Sequence, residues 1–184
     1  MLLKATHSVI IQPQIATLAS TRQMSDRIRT AAKADAAAMT GMAASRREQY
    51  ARYQPVFWRP AADALDQQYA YLVRLIADSQ VITLVSEEDG QVTGFLIATL
   101  LPAPPVYDPG GLTCQIDDFT VGYEEKWATT GPALLRAGLA EAARRGAVQA
   151  VVVAAHLDDP KRQALRSCGL EVASEWWVTA AIGQ

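Results

Sequence analysis

The sequence predicts an α/β domain built on a mixed sheet with helices on both faces. Three observations carry that expectation. Apolar periodicity switches between helical spacing and short β-branched runs, in the order β-α-α-β-β-β-α-β-α-β. The stretch from Gly131 to Arg145 holds an apolar stripe of Leu134, Leu135, Leu139 and Ala142, with Gly146 placed as a C-terminal cap. Directly after it, Val148 to Ala155 is a continuous apolar run of the kind buried on both faces of a sheet.

The elements follow in order. Asp26 to Ala31 alternates, with Ile28 and Thr30 opposite Arg27 and Arg29, as a short strand does. Asp35 opens an Ala- and Met-rich helix that Gln54-Pro55 stops near Tyr53. Pro60 suits a first helical turn, and Leu65, Tyr69, Leu72, Val73 and Ile76 make a second amphipathic helix over 61–77. Val81 to Val85 and Gln91 to Leu101 form a hairpin about Glu88-Asp89-Gly90. Four prolines and two glycines make 102–111 a loop, and Leu112 to Val121 is a further strand. Asp158-Asp159-Pro160 starts a short last helix that Cys168-Gly169 ends. Leu170 to Ala181 is expected to supply one or two closing strands, with one ring of Trp176-Trp177 in the core and the other in an edge or dimer contact.

At 184 residues, with 50% apolar and 20% charged residues, the chain has the size and composition of one globular domain. Residues 1–24 read as an N-terminal extension ahead of a single domain over 25–184, and Met24 would make a natural start. The extension holds Leu2-Leu3 and Val9-Ile10-Ile11 but no long apolar core and no clean cleavage site, so no signal peptide is expected. No run reaches the roughly 18 apolar residues of a membrane span. A cytoplasmic protein without a membrane partner is expected. The net charge is −2, and the basic pairs Arg46-Arg47 and Arg144-Arg145 read as solvated helix faces, so no nucleic acid is expected as a partner. Two cysteines, Cys114 and Cys168, and two histidines, His7 and His156, lack ligand spacing, so no metal site and no Cys–His mechanism is expected. Cys168 reads as a small buried hydrophobe.

The chemistry concentrates between Val121 and Leu135, where a strand ends, a loop turns and a helix begins. The first amides of a helix lack internal partners, and its dipole places partial positive charge there, so such a junction attracts phosphate. Lys126 could add a full charge. A plain connection is the alternative reading of the same residues. No G-x-G-x-x-G and no G-K-[ST] is present, which excludes the common dinucleotide and P-loop sites.

Over about Asp26 to Val178 the order of elements and this junction resemble the GNAT superfamily of acyl-CoA-dependent N-acyltransferases. The resemblance implies a mostly antiparallel central sheet and acetyl-CoA as acyl donor. Lys126-Trp127-Ala128-Thr129-Thr130-Gly131 stands where the family carries [QR]-x-x-G-x-[GA], with Val121 at the usual distance before it. By resemblance, Phe119, Thr120 and Val121 offer backbone groups to the pantetheine arm, and the loop from Lys126 to Pro132 holds the pyrophosphate. The pattern also departs. Thr129 places a Cβ where a glycine lets phosphate approach, and Pro132 has no N–H to donate. Asp158 takes the place of an asparagine in the family's N-x-x-A-x-x-L-Y-x-x-x-G-[FY] stretch, and Leu165 replaces the tyrosine that often protonates the departing thiolate.

An amine must lose a proton before it attacks a thioester, and a nearby carboxylate can serve as base. Gln115 stands where some branches carry a glutamate. Asp117 and Asp118 lie nearer; strand alternation would point at most one of them at a substrate. Two adjacent aspartates in an inner strand are costly, and capping a bulge or pairing with an arginine is the other reading. Asp118 is the preferred base, with Glu124 and Asp117 behind it. On the acceptor side, Phe57 and Trp58 either line a groove or staple the helix pair to the sheet, and Tyr107 could close over the site. The expected function is an N-acetyltransferase that acts on a small-molecule or peptide amine; the alternative is a GNAT-like binding module without turnover. A homodimer is expected by resemblance.

Overall fold

A computed structural model describes residues 27–180. The proposed N-terminal extension and Met24 lie outside the described residues. The elements are β1 (Arg27–Thr30), a 3-10 turn (Lys33–Asp35), α1 (Ala36–Tyr53), α2 (Ala64–Ala77), β2 (Ile82–Glu88), β3 (Gln91–Leu101), β4 (Leu112–Val121), a second 3-10 turn (Glu124–Ala128), α3 (Thr130–Arg144), β5 (Ala147–Val152) and α4 (Asp159–Ser167). The strands lie in the order β1-β2-β3-β4-β5, antiparallel except for the β4–β5 pair. That mixed, mostly antiparallel sheet is the one expected.

Alternation along β3 divides the core. Phe95 and Ile97 face Met39, Ala43, Leu72 and Leu75 of α1 and α2. Leu96 and Ala98 face Leu134, Leu135 and Ala142 of α3 and Ala164 of α4. Helices therefore cover both faces, as period-2 and period-3.6 patterns require when both must bury a side. The β2–β3 turn has Asp89 at φ 52° and Gly90 at φ 77°, the two positive values a two-residue type I′ hairpin needs.

Four expectations are corrected. Helix α2 starts at Ala64, after Pro60, and Leu65 and Tyr69 stay exposed because the core reaches only its second half, at Leu72, Leu75 and Ile76. Strand β5 is the sheet edge, so it is not buried on both faces; Val148 and Val151 are exposed. Residues 170–180 form no strand. They pair with no edge of the five-stranded sheet, and an alternating pattern makes no strand without a partner. Accordingly, neither Trp176 nor Trp177 reaches the core: they are 82% and 90% exposed, and Trp176 only meets Phe57 edge-on at 5.9 Å.

Candidate active site

Strand β4 organises the site. Its pairing with β3 slips between Ile97 and Ala98, where Ile97 meets Asp118 and Ala98 meets Ile116, so Asp117 is the extra residue of a bulge. The Asp117 carboxylate accepts from the Asp118 amide at 3.2 Å. The last β4–β5 pair is Ile116 with Val152, so Asp117 to Val121 runs on past the end of β5. The bulge also resets the pleat. Strict alternation would send the two aspartates to opposite faces, yet both line one cavity of about 210 Å³.

Three helices complete that cavity. Helix α1 contributes Ala43, Arg46, Arg47 and Tyr50, α2 contributes Gln68, and α4 contributes Lys161; Trp58, Phe119, Thr120 and Val153 close it. Gln68 Nε2 donates to Asp118 Oδ2 at 3.0 Å while Gln68 Oε1 accepts from Arg47 at 2.9 Å. Burial pushes the Asp118 carboxyl above the usual carboxylate range, partly offset by the Gln68 bond. Lys161 is fully buried, and its Nζ donates to the Phe119 carbonyl at 2.9 Å. Burial lowers its pKa to about 7, against the pull of Asp158.

A second cavity of about 300 Å³ adjoins the first, lined by α1, by Thr120 to Glu124 and by Asp158. Between the two runs a buried network. Asp158 Oδ2 accepts from Arg46 at 2.9 Å and from the Tyr50 hydroxyl at 2.7 Å, and Arg46 Nε donates to Thr120 Oγ1 at 3.1 Å. Asp158 also caps α4 by accepting from the Lys161 amide. Burial, then the Asp158 carboxylate beside it, raises the pKa of Tyr50.

The junction before α3 turns inward. Trp127 is 2% exposed, packs edge-on against Phe119 at 5.0 Å and lies beneath the Arg46 guanidinium at 5.1 Å. A Cβ on Gly131 would stand 2.7 Å from the Trp127 ring, so only glycine admits that indole. Thr130, Gly131 and Pro132 are buried; Ala128 and Thr129 are exposed. Lys126 Nζ pairs with Glu88 at 2.6 Å. Trp127 Nε1 is a buried donor without a hydrogen-bond partner.

Of the sequence candidates, Asp117, Asp118, Phe119, Thr120 and Trp58 come together in the smaller cavity, and Thr120, Val121, Glu124 and Asp158 in the larger. Lys126, Trp127, Ala128, Thr129, Thr130, Gly131 and Pro132 form the adjoining turn and line neither cavity. Phe57 stands outside, stacked edge-on against Trp58 at 4.7 Å. Tyr107 is 72% exposed and lines neither cavity. Sequence reasoning missed Arg46, Arg47, Tyr50, Gln68 and Lys161. Arg46 and Arg47 are not a solvated face: both are half-buried and bonded across to other elements. A signal for Lys161 did exist, since a cation in the first turn of a helix opposes the helix dipole.

Fitting acetyl-CoA to these residues gives a divided answer. The Phe119–Val121 edge beyond β5 suits an extended polar arm, whereas the unpartnered Trp127 Nε1 is buried out of its reach. The burial of Thr130, Gly131 and Pro132 at the start of α3 and the Lys126–Glu88 pair leave little free positive charge for a pyrophosphate.

No family model matches the chain, and no curated protein matches it in sequence. Solved structures do match. A predicted acetyltransferase from Clostridium acetobutylicum, solved with acetyl-CoA, is 17% identical over 84% of this chain and 95% of its own, with a TM-score of 0.63. An aminoglycoside N-acetyltransferase in complex with CoA is 12% identical over 86% and 96%, at 0.65. A ribosomal-protein-alanine N-acetyltransferase from Brucella melitensis biovar Abortus is 20% identical over 84% and 98%, at 0.58. The chain thus has the GNAT acetyltransferase fold. Among the described residues, no helix is long and apolar enough to cross a membrane and no group of side chains could hold a metal ion.

Proposed function

We propose that this chain is an N-acetyltransferase that moves an acetyl group from acetyl-CoA to a small-molecule or peptide amine by direct attack. The observation that carries the reading is the cavity at the end of β5, where the β4 bulge gathers Asp117 and Asp118 beside the buried Lys161. Acetyl-CoA supplies the activated thioester. Phe119, Thr120 and Val121 hold its pantetheine arm, and the turn from Lys126 to Pro132 lies nearest the pyrophosphate. Asp118 takes the proton from the acceptor ammonium, with Asp117 and Glu124 as the carboxylates in reserve. As the C–N bond forms and the C–S bond breaks, Lys161 gives a proton to the leaving sulfur, which the hydrocarbon side chain of Leu165 could not do, and the second proton shed by the nitrogen recharges Lys161. Trp58 and Phe57 flank the acceptor entrance. A cytoplasmic homodimer that engages no nucleic acid or membrane completes the reading.

The buried Trp127 and the paired Lys126 favour a second reading, a GNAT-like module that binds CoA without turnover. Release of free CoA from acetyl-CoA across a panel of amines separates the two. Asp118→Asn is expected to slow release about a hundredfold. Tight acetyl-CoA binding without release on any amine would select the module, and an Asn variant as fast as the parent would remove Asp118 from the mechanism.

A further inference from the structure

The smaller cavity carries charges of both signs that are held apart and not paired with one another. Among the described residues, none of Arg47, Asp117, Asp118 and Lys161 is in an ion pair. Lys161 is buried, Asp118 and Arg47 are half-buried and Asp117 is exposed; partly desolvated charge left unpaired is costly, so the arrangement is poor as packing and makes sense as recognition. At about 210 Å³ the space is smaller than the roughly 300–1,000 Å³ of sites for drug-sized ligands.

Gln68 shows how the charges are spaced. Its amide presents a donor to Asp118 and an acceptor to Arg47, 3.0 Å and 2.9 Å away. The opposite orientation would face a carboxylate with a carbonyl and a guanidinium with an NH₂, so the two charges dictate it. Donor and acceptor in that amide are separated by one carbon. In an α-amino acid, ammonium and carboxylate are separated by two. We propose that the acceptor is an α-amino acid or a similarly compact amino carboxylate, with its ammonium on Asp118 and its carboxylate on Arg47. The proposal rests on the acetyltransferase reading for the fate of the amine, but not for the binding. A guanidinium is suited to this task because its planar donors meet both carboxylate oxygens at once.

The experiment pairs each of the common free α-amino acids with its α-amide, which keeps the amine and removes the carboxylate charge. Binding to the protein is read by calorimetry, with and without saturating CoA, and CoA release from acetyl-CoA is followed in parallel. At least one free acid is expected to bind about tenfold to a hundredfold more tightly than its amide. Arg47→Gln should collapse that ratio toward one, chiefly through KM where there is turnover, and Arg47→Lys should keep part of it. Amides or simple amines that bind as well as the acids, a ratio that survives Arg47→Gln in a variant with unchanged melting temperature, or no acid bound at millimolar concentration would each overturn the assignment. Acid-selective binding without CoA release would uphold it while removing the acetyltransferase reading.

Discussion

A lysine buried without a carboxylate partner should write its signature into the pH dependence of stability. Lys161 is fully buried, and its pKa falls from an ordinary 10.5 to about 7. A difference of that size corresponds to about 5 kcal/mol of penalty on the charged form. Below pH 7 both folded and unfolded chains carry the charge, so the folded state bears the whole penalty. Between 7 and 10.5 the unfolded chain holds a proton that the folded chain does not, so stability rises with pH; above 10.5 the penalty is gone. Lys161→Met keeps much of the stem and removes the charge. It also removes the Nζ bond to the Phe119 carbonyl, but that cost does not vary with pH and so drops out of the slope. The methionine variant is expected to be the more stable at pH 7, and its advantage should shrink by about 2 kcal/mol by pH 9. Urea unfolding followed by tryptophan fluorescence, with equal m-values for the two proteins, reads the difference directly. A stability difference that stays flat from pH 7 to 9 would refute the reasoning. It would mean that water reaches Nζ and that Asp158, Asp118 and Asp117 together keep the ammonium at its ordinary proton affinity.

Three other outcomes follow from the same geometry. If Asp118 is the base, kcat/KM should be lost as pH falls through a midpoint above the ordinary aspartate value of 3.8, because burial raises the carboxyl; a midpoint at or below 3.8 would exclude it. Asp158→Ala strips Arg46 and the Tyr50 hydroxyl of their shared partner and should cost about 3–5 kcal/mol in chemical unfolding, whereas a loss below about 1 kcal/mol would show the network to be solvated. Gly131→Ala drives a methyl to 2.7 Å from the Trp127 ring and should destabilise the fold by about 1–3 kcal/mol, with a matching change in Trp127 fluorescence; an unchanged melting temperature would count against this packing.

The elements with the sharpest boundaries were the most legible. β3 and β4 fall where the sequence places them because a two-residue turn, a proline-rich loop and a strand-to-helix junction bracket them. Helix α3 shifts by one residue, within the ordinary fraying of helix ends. The closing strands were misread because β propensity carries little weight without a paired edge. The site was legible only along the strand that holds it. Asp117 and Asp118 drew attention by their cost, and the bulge at Asp117 answers it. Arg46 did not, because its carboxylate lies 112 residues away in the chain and no local pattern ties Asp158 to α1. Tyr50 and Gln68 look like any residues of an amphipathic helix until α1 and α2 lie over the end of β5.

The junction before α3 shows what a phosphate site gives up when Trp127 and the start of the helix are drawn into the core. Trp127 fills the space above Phe119, Gly131 is spent on admitting the indole, Lys126 is held by Glu88, and Pro132 has no N–H to offer. Each of these stabilises the domain or leaves it unharmed, and each subtracts from phosphate binding. On the proposed reading, grip on an acyl donor must then come from the β4 edge at Phe119 to Val121, which can engage an amide-bearing arm and not a diphosphate. Acetyl-pantetheine, which lacks the nucleotide, should therefore support CoA-type thiol release within about tenfold of the kcat/KM for acetyl-CoA. A donor preference of a thousandfold or more for the nucleotide would instead show that the α3 junction opens on binding, moving Trp127 out from beneath Arg46.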